Sequence, residues 1–230
     1  MTAVPSPPSY PRVAHLVTGR GTSDDGVLGP DELAKLLSSP VVIEEKLDGA
    51  NVMLWLDERT QQVTSSLRSG PGASDRAGQL GPLKAWVAAR GHVLAQGLTA
   101  GRVLYGEWLL LTHTVPYDRL PSYLVVLDVL DERGDFLHVD DRDRWAAALG
   151  LVSPPGLFRG TVRSVPAAER LIGVSSFGIE RAEGVVLRGL GRERHIAKLV
   201  RADFRPLPDE AWAKGRPKNK VVAVEAEAWR

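Results

Sequence analysis

The stretch EEKLDGAN, residues 44–51, lies between two apolar runs, at a point where one predicted strand ends and the next begins. It contains a Lys-x-Asp-Gly segment that starts at Lys46, and a lysine at such a turn can face a pocket. A polar hairpin with Lys46 on the surface would contain the same residues. The stretch therefore indicates a site only if other parts of the chain support it.

The segments around this stretch are rich in β-branched residues, which predicts a protein dominated by β-sheet. Apolar residues at helical spacing occur in residues 80–94 and 143–149, and a third helix is predicted between Ser164 and Gly173. Because no repeating β-α-β order is present, we expect an α+β domain of mainly antiparallel sheets with helices packed outside. The predicted strands are 41–43, 52–56, 62–64, 103–105, 124–127, 184–187 and 196–200, and the predicted hairpin turns are 57–60 and 131–135.

Charged residues lie within or beside four of the predicted strands. They are Glu107, Asp128, Glu183 and Lys198. An unpaired charge is expensive to bury in a sheet, so a set of charged residues at strand positions is more economically explained as a site.

The composition excludes several kinds of site and localisation. The chain has 230 residues and no cysteine, which excludes zinc ribbons, thiol nucleophiles and disulfide scaffolds and fits a reducing compartment. The longest apolar stretch, residues 109–111, is far shorter than the roughly 20 residues that a spanning helix needs. We therefore expect a soluble, cytoplasmic protein with no membrane partner.

Basic residues are concentrated toward the C-terminus. Residues 181–230 carry 12 Lys and Arg against 7 Asp and Glu, a net charge of +5, whereas residues 1–180 carry 17 against 21, a net charge of −4. This asymmetry favours a polyanionic partner, although a solvated C-terminal face would give the same count.

The order of the motifs resembles that of the covalent nucleotidyltransferase superfamily, which contains ATP-dependent polynucleotide ligases and mRNA capping enzymes. Those proteins carry, in order, a Lys-x-Asp/His-Gly motif, an arginine, a Tyr-Gly-Glu motif, an aromatic-Asp strand, a Glu-Gly-hydrophobic motif and a lysine-containing strand. Corresponding residues run from Glu45 to Arg201, and the segment from Gly106 to Asp128 is similar to RNA ligases in particular.

The resemblance implies a domain organisation. A nucleotidyltransferase domain, of the ATP-grasp-like ligase adenylation type, would occupy residues 1–205 and would include a proline-rich N-terminal lead-in. Residues 206–230 would form a short basic extension. We expect no C-terminal oligonucleotide-binding barrel, because only about thirty residues follow Arg201.

The resemblance also implies a role for each motif residue. Lys46 would be the catalytic nucleophile that attacks the α-phosphate of ATP, and Glu183 would hold Mg²⁺ or Mn²⁺. Leu127 and Val186 would pack on the two faces of adenine. The other implied nucleotide contacts are Glu45, Asp48 and Gly49 around the lysine, Asn51 and Arg68 at the phosphates or nucleotide, Glu107 at the ribose and Lys198 at the α-phosphate.

Adenylation requires a neutral amine, whereas a free lysine is protonated at neutral pH. We therefore expect Lys198, Arg68 and a bound metal ion to lower the pKa of Lys46, since neighbouring positive charge disfavours the ammonium form.

Two positions depart from the superfamily pattern. Leu127 stands where Phe or Tyr is usual, so an aliphatic contact would replace stacking on adenine. Val200 stands where a second lysine is usual, and Arg201 on a strand would point away from the face that carries Lys198. Lys218 and Lys220 are the candidates to replace the missing lysine.

The resulting expectation is an ATP-dependent RNA ligase that self-adenylates, transfers AMP to a 5′-phosphate end and seals it to a 3′-hydroxyl. The alternatives are a non-catalytic ligase-derived module that binds nucleotide or RNA, and a minimal DNA ligase. The expected partners are RNA or DNA ends and an end-healing kinase or phosphatase, and the oligomeric state is left open. The residues expected to bind the nucleic-acid backbone are Lys214, Arg216, Lys218 and Lys220.

Overall fold

The computed structural model describes residues 7–18, 25–68, 78–99, 101–191, 193–207 and 215–222, which form two β-sheets and four helices. The α+β class expected from the sequence is confirmed. In chain order the elements are β1 (Ala14–His15), α1 (Pro30–Ser38), β2 (Val41–Lys46), β3 (Ala50–Asp57), β4 (Gln62–Leu67), α2 (Leu80–Gly97), β5 (Val103–Trp108), β6 (Leu124–Leu130), α3 (Val139–Ala148), β7 (Gly156–Gly160), α4 (Val165–Glu169), β8 (Gly184–Gly189) and β9 (Ile196–Val200).

The strands divide into a five-stranded sheet and a four-stranded sheet. The five-stranded sheet has the order β1-β9-β8-β2-β7, and the four-stranded sheet has the order β4-β3-β5-β6. Neighbouring strands are antiparallel except for β1 and β9, which are parallel. The predominance of antiparallel pairing agrees with the sequence-based expectation.

The stretch 44–51 joins the two sheets. β2 belongs to the five-stranded sheet and β3 to the four-stranded sheet, so residues 47–49 form a crossover. A hairpin is excluded because β2 and β3 pair with other strands and not with each other. The crossover places Lys46 at the boundary between the sheets.

Each sheet packs one face against helices. Leu83 of α2 and Ala146 of α3 are buried against the four-stranded sheet, whereas Leu36 of α1 and Ala168 of α4 are buried against the five-stranded sheet. Burying a leucine such as Leu83 or Leu36 contributes about 1.5–3 kcal/mol to stability. The helices therefore anchor the outer faces and leave the facing surfaces of the sheets for a site.

Most predicted elements are present, with some differences at their ends. All seven predicted strands form, but β1, β7 and α1 have no counterpart in the sequence-based prediction. Both β1 and β7 are short, with two and five residues, so neither has a long period-two pattern. Residues 131–135 form the predicted turn, which an antiparallel bridge between Leu130 and Phe136 closes, but the chain after it continues into α3 and forms no second strand.

The helices differ in length from the prediction. α3 begins at Val139, before the predicted residue 143, because His138 caps it and its side chain accepts a hydrogen bond from Asp140 N. α4 has Ser164 as its N-cap but ends at Glu169. Among the described residues, no helix has both the length and the apolar character to cross a bilayer.

Candidate active site

A cavity of about 890 Å³ lies where the two sheets face each other. Its volume is within the range of about 300–1,000 Å³ that is typical of small-molecule sites. The predicted site residues that line it are Glu45, Lys46, Gly49, Asn51, Arg68, Glu107, Leu127, Glu183, Val186 and Lys198.

Strand alternation directs one row of side chains of the five-stranded sheet toward the cavity. Ile43 is buried against the helices, whereas the next residue, Glu44, lines the cavity. Pairing between strands extends this face. His15 is opposite Lys198, Lys198 is opposite Val186, and Val186 is opposite Glu44. Four strands thus present one row of side chains to the cavity.

Lys46 and Glu183 form an ion pair in the cavity wall. Lys46 lies opposite Gly184 at the end of β2, and its Nζ donates a hydrogen bond to Glu183 Oε2 over 2.7 Å. Burial favours the neutral amine, but Glu183, Glu107 and Asp48 together hold the pKa of Lys46 above its usual value. Burial also raises the pKa of Glu183, and Lys46 offsets part of this rise. Lys46 is therefore an ammonium group held by Glu183.

This direction is opposite to the lowering of the Lys46 pKa that was expected from Lys198, Arg68 and a bound metal ion. The carboxylates of Glu183, Glu107 and Asp48 account for the difference. The two cations are themselves paired, because the Asp25 carboxylate accepts a hydrogen bond from Lys198 Nζ and lies 3.9 Å from Arg68 Nη2. Counting charges in the sequence could not reveal this pairing.

Glu107 is held by the glycine of the Lys-x-Asp-Gly segment. Glu107 Oε1 accepts a hydrogen bond from Gly49 N over 3.0 Å. Burial, with the neighbouring carboxylates of Glu183 and Asp48, raises the pKa of Glu107 to about 7. A Cβ at Gly49 would lie 2.7 Å from Trp108 O, so the close approach requires glycine.

Leu127 lies at a β-bulge in the four-stranded sheet. Gly106 is opposite Val126 and Tyr105 is opposite Asp128, which leaves Leu127 without an opposite residue. Leu127 is partly exposed in the cavity wall, whereas the other residues of β6 are buried. A bulge commonly re-aims a side chain beside a site.

Val186 provides a matching apolar surface from the five-stranded sheet. It is half-buried between the buried residues Val185 and Leu187 of β8, and it lines the same cavity as Leu127. Each sheet therefore presents at least one apolar side chain to the cavity.

A buried charge network lies behind Leu127. Arg142 of α3 and Arg188 of β8 donate hydrogen bonds to Leu127 O over 2.7 and 2.9 Å, and both also donate to the Glu44 carboxylate. Arg188 donates a further bond to Asp128 Oδ2 over 2.8 Å. The network uses the backbone carbonyl of the bulge residue and connects both sheets to α3. Buried charges of this kind are tolerated only when they are paired and hydrogen-bonded.

Residues 8–13 form a further part of the cavity region, which sequence reasoning had treated only as a proline-rich lead-in. Tyr10 Oη donates a hydrogen bond to Asp128 Oδ2 over 2.5 Å, and Tyr105 Oη donates to Pro8 O over 2.7 Å. Burial raises the pKa of Tyr10 well above its usual value, so its hydroxyl remains a donor. The N-terminal segment is thereby docked on the buried charge network.

The two acidic residues that flank the lysine bind backbone groups. Glu45 Oε2 accepts a hydrogen bond from Ser176 N over 2.8 Å, and Asp48 Oδ2 accepts from Thr114 N and Val115 N over 2.6 and 2.8 Å. Glu45 lines the cavity, whereas Asp48 is outside the set of lining residues. Their contacts fit a role in shaping the pocket.

The described C-terminal segment, residues 215–222, is docked by Asn219. Asn219 Nδ2 donates a hydrogen bond to Leu109 O over 2.8 Å, and its Oδ1 accepts from Tyr117 N over 2.9 Å. The segment therefore packs against the loop that follows β5.

The basic residues of this segment lie outside the cavity. Arg216 is half-buried, Lys218 and Lys220 are exposed, and none of the three lines the cavity. Lys214 lies outside the described residues. The two lysines considered as replacements at Val200 are therefore not in the cavity wall, where Val200 itself lies.

Sequence reasoning did not assign to the site seven polar residues that line the cavity, namely Ser9, Tyr10, Arg12, His15, Asp25, Glu44 and Arg188. His15 could have been found from its position inside the apolar run 13–17. A polar residue in such a run is costly to bury unless it belongs to a site, which is the argument that identified Lys198. Both ring nitrogens of His15, and Oδ1 of Asn51, are buried without a hydrogen-bond partner among the described residues. Because buried polar atoms are usually satisfied, the cavity wall has unused capacity for a polar ligand.

A family model described as RNA ligase matches residues 39–200, which include β2 to β9. An archaeal ATP-dependent RNA ligase (form 2) aligns with a TM-score of 0.56 at 17% identity, over 84% of this chain and 48% of that chain. A Naegleria gruberi RNA ligase variant with ATP and Mn aligns with a TM-score of 0.57 at 15% identity, over 93% of this chain and 64% of that chain. The Naegleria gruberi RNA ligase with PPi aligns with a TM-score of 0.54 at 15% identity, over 85% of this chain and 61% of that chain.

These similarities establish a shared fold. The chain spans from about half to just under two thirds of the length of the three solved structures. No curated protein sequence matches it.

Proposed function

The chain belongs to the RNA ligase family, and from this premise we propose that it is an ATP-dependent RNA ligase that self-adenylates on Lys46. The enzyme would transfer AMP to a 5′-phosphate end and seal that end to a 3′-hydroxyl. The archaeal RNA ligase is ATP-dependent and the Naegleria RNA ligase variant contains ATP, which supports ATP as the substrate here.

The observation that carries the proposal is the position of Lys46. Its amine lies in the wall of a cavity that also contains an apolar residue from each sheet, Leu127 and Val186, and two cations, Arg68 and Lys198. Apolar contacts suit a base, and cations suit the phosphates. The lysine is thus placed among groups that would bind a nucleotide.

In the first step, Lys46 Nζ would form a bond to the α-phosphorus of ATP while the bond from that phosphorus to the pyrophosphate oxygen breaks. The Lys46 ammonium group would release one proton to solvent before the attack, and the amine would release a second to solvent as the bond forms, while pyrophosphate leaves. Lys198 and Arg68 would donate hydrogen bonds to phosphate oxygens and stabilise their negative charge. AMP would then pass from Lys46 to the 5′-phosphate, and the 3′-hydroxyl oxygen would displace AMP in the sealing step.

The residues present fit a divalent cation bound mainly by water and phosphate oxygens. Among the described residues, no group of three or more His, Asp or Glu is arranged to hold a metal ion. Mg²⁺ is commonly bound through one or two carboxylates together with substrate phosphates, and Glu183 would supply such a carboxylate. The bound ion would supply positive charge that stabilises the reacting phosphate. We propose Mg²⁺ for this role, with Mn²⁺ as a substitute.

The direct test is incubation of the full chain with α-labelled ATP and Mg²⁺, followed by denaturing electrophoresis. A ligase retains covalent label, whereas a nucleotide-binding module without catalysis retains none. A panel of RNA and DNA strands with 5′-phosphate and 3′-hydroxyl ends then distinguishes RNA sealing from DNA sealing. Strands with a 5′-hydroxyl should remain unjoined until a kinase has phosphorylated them.

We predict that Leu127→Phe lowers the ATP concentration for half-maximal self-adenylation by about two- to tenfold, because ring stacking adds about 0.5–1.5 kcal/mol. Half-saturation is measured by titrating labelled ATP. Leu207→Phe, a change at an exposed leucine, is the matched control and should have no effect. An unchanged or higher value in folded Leu127→Phe would show that adenine does not lie on residue 127.

We also propose that the basic C-terminal segment binds the RNA backbone. Replacing Lys214, Arg216, Lys218 and Lys220 with Gln should weaken RNA binding and reduce the salt-dependence slope by up to about 3, since each phosphate contact on a single strand contributes about 0.7. Fluorescence anisotropy at several salt concentrations measures the slope.

Self-adenylation without RNA should persist in this variant. A matched control replaces four exposed cations elsewhere, namely Arg59, Lys84, Arg133 and Arg144. Equal loss of RNA binding in both variants would argue against a specific role for the C-terminal segment.

A further inference from the structure

Asp25 brings together three cations from separate parts of the chain. Its Oδ1 accepts a hydrogen bond from Arg12 Nη1 over 3.0 Å and lies 3.9 Å from Arg68 Nη2, and its Oδ2 accepts from Lys198 Nζ. Arg12 belongs to the N-terminal segment, Arg68 follows β4, and Lys198 lies on β9. All four side chains line the cavity that contains Lys46.

This arrangement has the charge pattern of a phosphate site. Converging arginine and lysine side chains are the usual donors to phosphate oxygens. The side chains of Asp25 and Lys198 are only 11% and 12% exposed, whereas that of Arg12 is 52% exposed and can follow a ligand. The carboxylate therefore lies where an anionic ligand would contact all three cations.

His15 provides an independent observation at the same place. It lies opposite Lys198 in the β1–β9 pair and lines the cavity. Both ring nitrogens are buried and lack a hydrogen-bond partner among the described residues. A buried imidazole with two unused nitrogens beside a cation cluster indicates a wall that is completed by a polar ligand.

We propose that Arg12 is a further ATP-binding residue that contacts the outer phosphates, and that Asp25 occupies the place of those phosphates and competes with them. This inference rests on the proposed function and extends it to the N-terminal segment. ATP would have to displace the carboxylate from Arg12, Arg68 and Lys198. After adenylation, the same carboxylate would compete with pyrophosphate for these cations and so promote its release.

The test compares Asp25→Asn, which removes the charge but keeps the shape, with Arg12→Gln. Asp25→Asn should lower the ATP concentration for half-maximal self-adenylation by about three- to tenfold, and Arg12→Gln should raise it by a similar factor, as expected for one typical hydrogen-bonded contact. Calorimetric titration with inorganic tripolyphosphate should show the same two directions without any chemistry. Asp25→Ser serves as the second variant if the amide impairs folding.

The control variants change an ion pair outside the cavity. Asp140 and Arg159 form an ion pair outside the cavity wall, and their side chains are 46% and 54% exposed. Asp140→Asn and Arg159→Gln should leave half-saturation and tripolyphosphate affinity unchanged. An Asp25→Asn variant with unchanged or weaker tripolyphosphate binding would overturn the inference, as would an Arg12→Gln variant that binds tripolyphosphate as well as the wild type.

The two readouts separate this inference from the proposed function. If the wild type self-adenylates but the Asp25 and Arg12 variants behave like the controls, only the inference fails. If the wild type takes up no covalent AMP while tripolyphosphate affinity follows the expected order, the phosphate site is supported and the ligase proposal fails.

Discussion

Lys46→Ala is expected to abolish self-adenylation, because alanine has no group that can form a bond to the α-phosphorus. Sealing of a strand that already carries a 5′-adenylate should survive in part, since that step needs a stabilised AMP leaving group but no lysine adduct. Covalent labelling with ATP measures the first step, and joining of a pre-adenylated strand measures the last.

Lys35→Ala is the matched control, because Lys35 is an exposed lysine of α1 whose Nζ contacts Glu193 outside the cavity. It should retain both steps. Covalent label on folded Lys46→Ala protein at the wild-type level would contradict the assignment of the nucleophile.

Glu183→Gln is expected to depress both self-adenylation and sealing of a pre-adenylated strand, by at least about 100-fold if it removes a metal ligand. The reason is that Glu183 would hold the divalent ion used with phosphate in each step. The two steps therefore respond together in Glu183→Gln and separately in Lys46→Ala. Rates at a series of Mg²⁺ concentrations provide the measurement, and half-saturation by Mg²⁺ should move to higher concentration.

Loss of the Lys46 ion pair is a second consequence of Glu183→Gln, so its thermal midpoint must be measured beside its rates. A buried charge left without its partner commonly costs about 3–5 kcal/mol. Lys46→Ala breaks the same pair and is the stability control. If Glu183→Gln impaired adenylation but sealed a pre-adenylated strand at the wild-type rate and Mg²⁺ requirement, a metal role in sealing would be excluded.

The strand-borne part of the cavity could be predicted from the sequence. Glu107, Leu127, Val186 and Lys198 lie within or beside apolar runs rich in β-branched residues, which predict strands, and all four line one cavity. Their assembly also depends on the crossover after Lys46, which connects different sheets. The motif order indicated this arrangement because each of these residues lies in a strand or directly beside one.

The N-terminal part of the cavity could not be predicted in the same way. Arg12 and Asp25 lie in segments with no helical or strand period, and they reach the cavity because His15 in β1 pairs with Lys198 far along the chain. Such long-range pairing leaves no local pattern. Only the apolar run around His15 indicated that the segment would be buried.

The direction of the Lys46 pKa shift could not be predicted from the sequence. The motif order indicated that cations would lie near Lys46, but the pKa depends on which charged groups are paired in the folded protein. Asp25 pairs with Lys198 and approaches Arg68, whereas Glu183 contacts Lys46 directly. The raised pKa of Lys46 follows from its ion pair with Glu183 and from the nearby carboxylates of Glu107 and Asp48. The proposed adenylation therefore requires Lys46 to leave Glu183 and lose its proton.

Self-adenylation on Lys46 can be tested directly by mass-spectrometric peptide mapping of the wild-type protein after incubation with ATP and Mg²⁺. One AMP is expected, attached to the peptide that contains Lys46 and localised to that lysine by fragmentation. AMP on Lys198 or on another residue, with Lys46 unmodified, would contradict self-adenylation on Lys46.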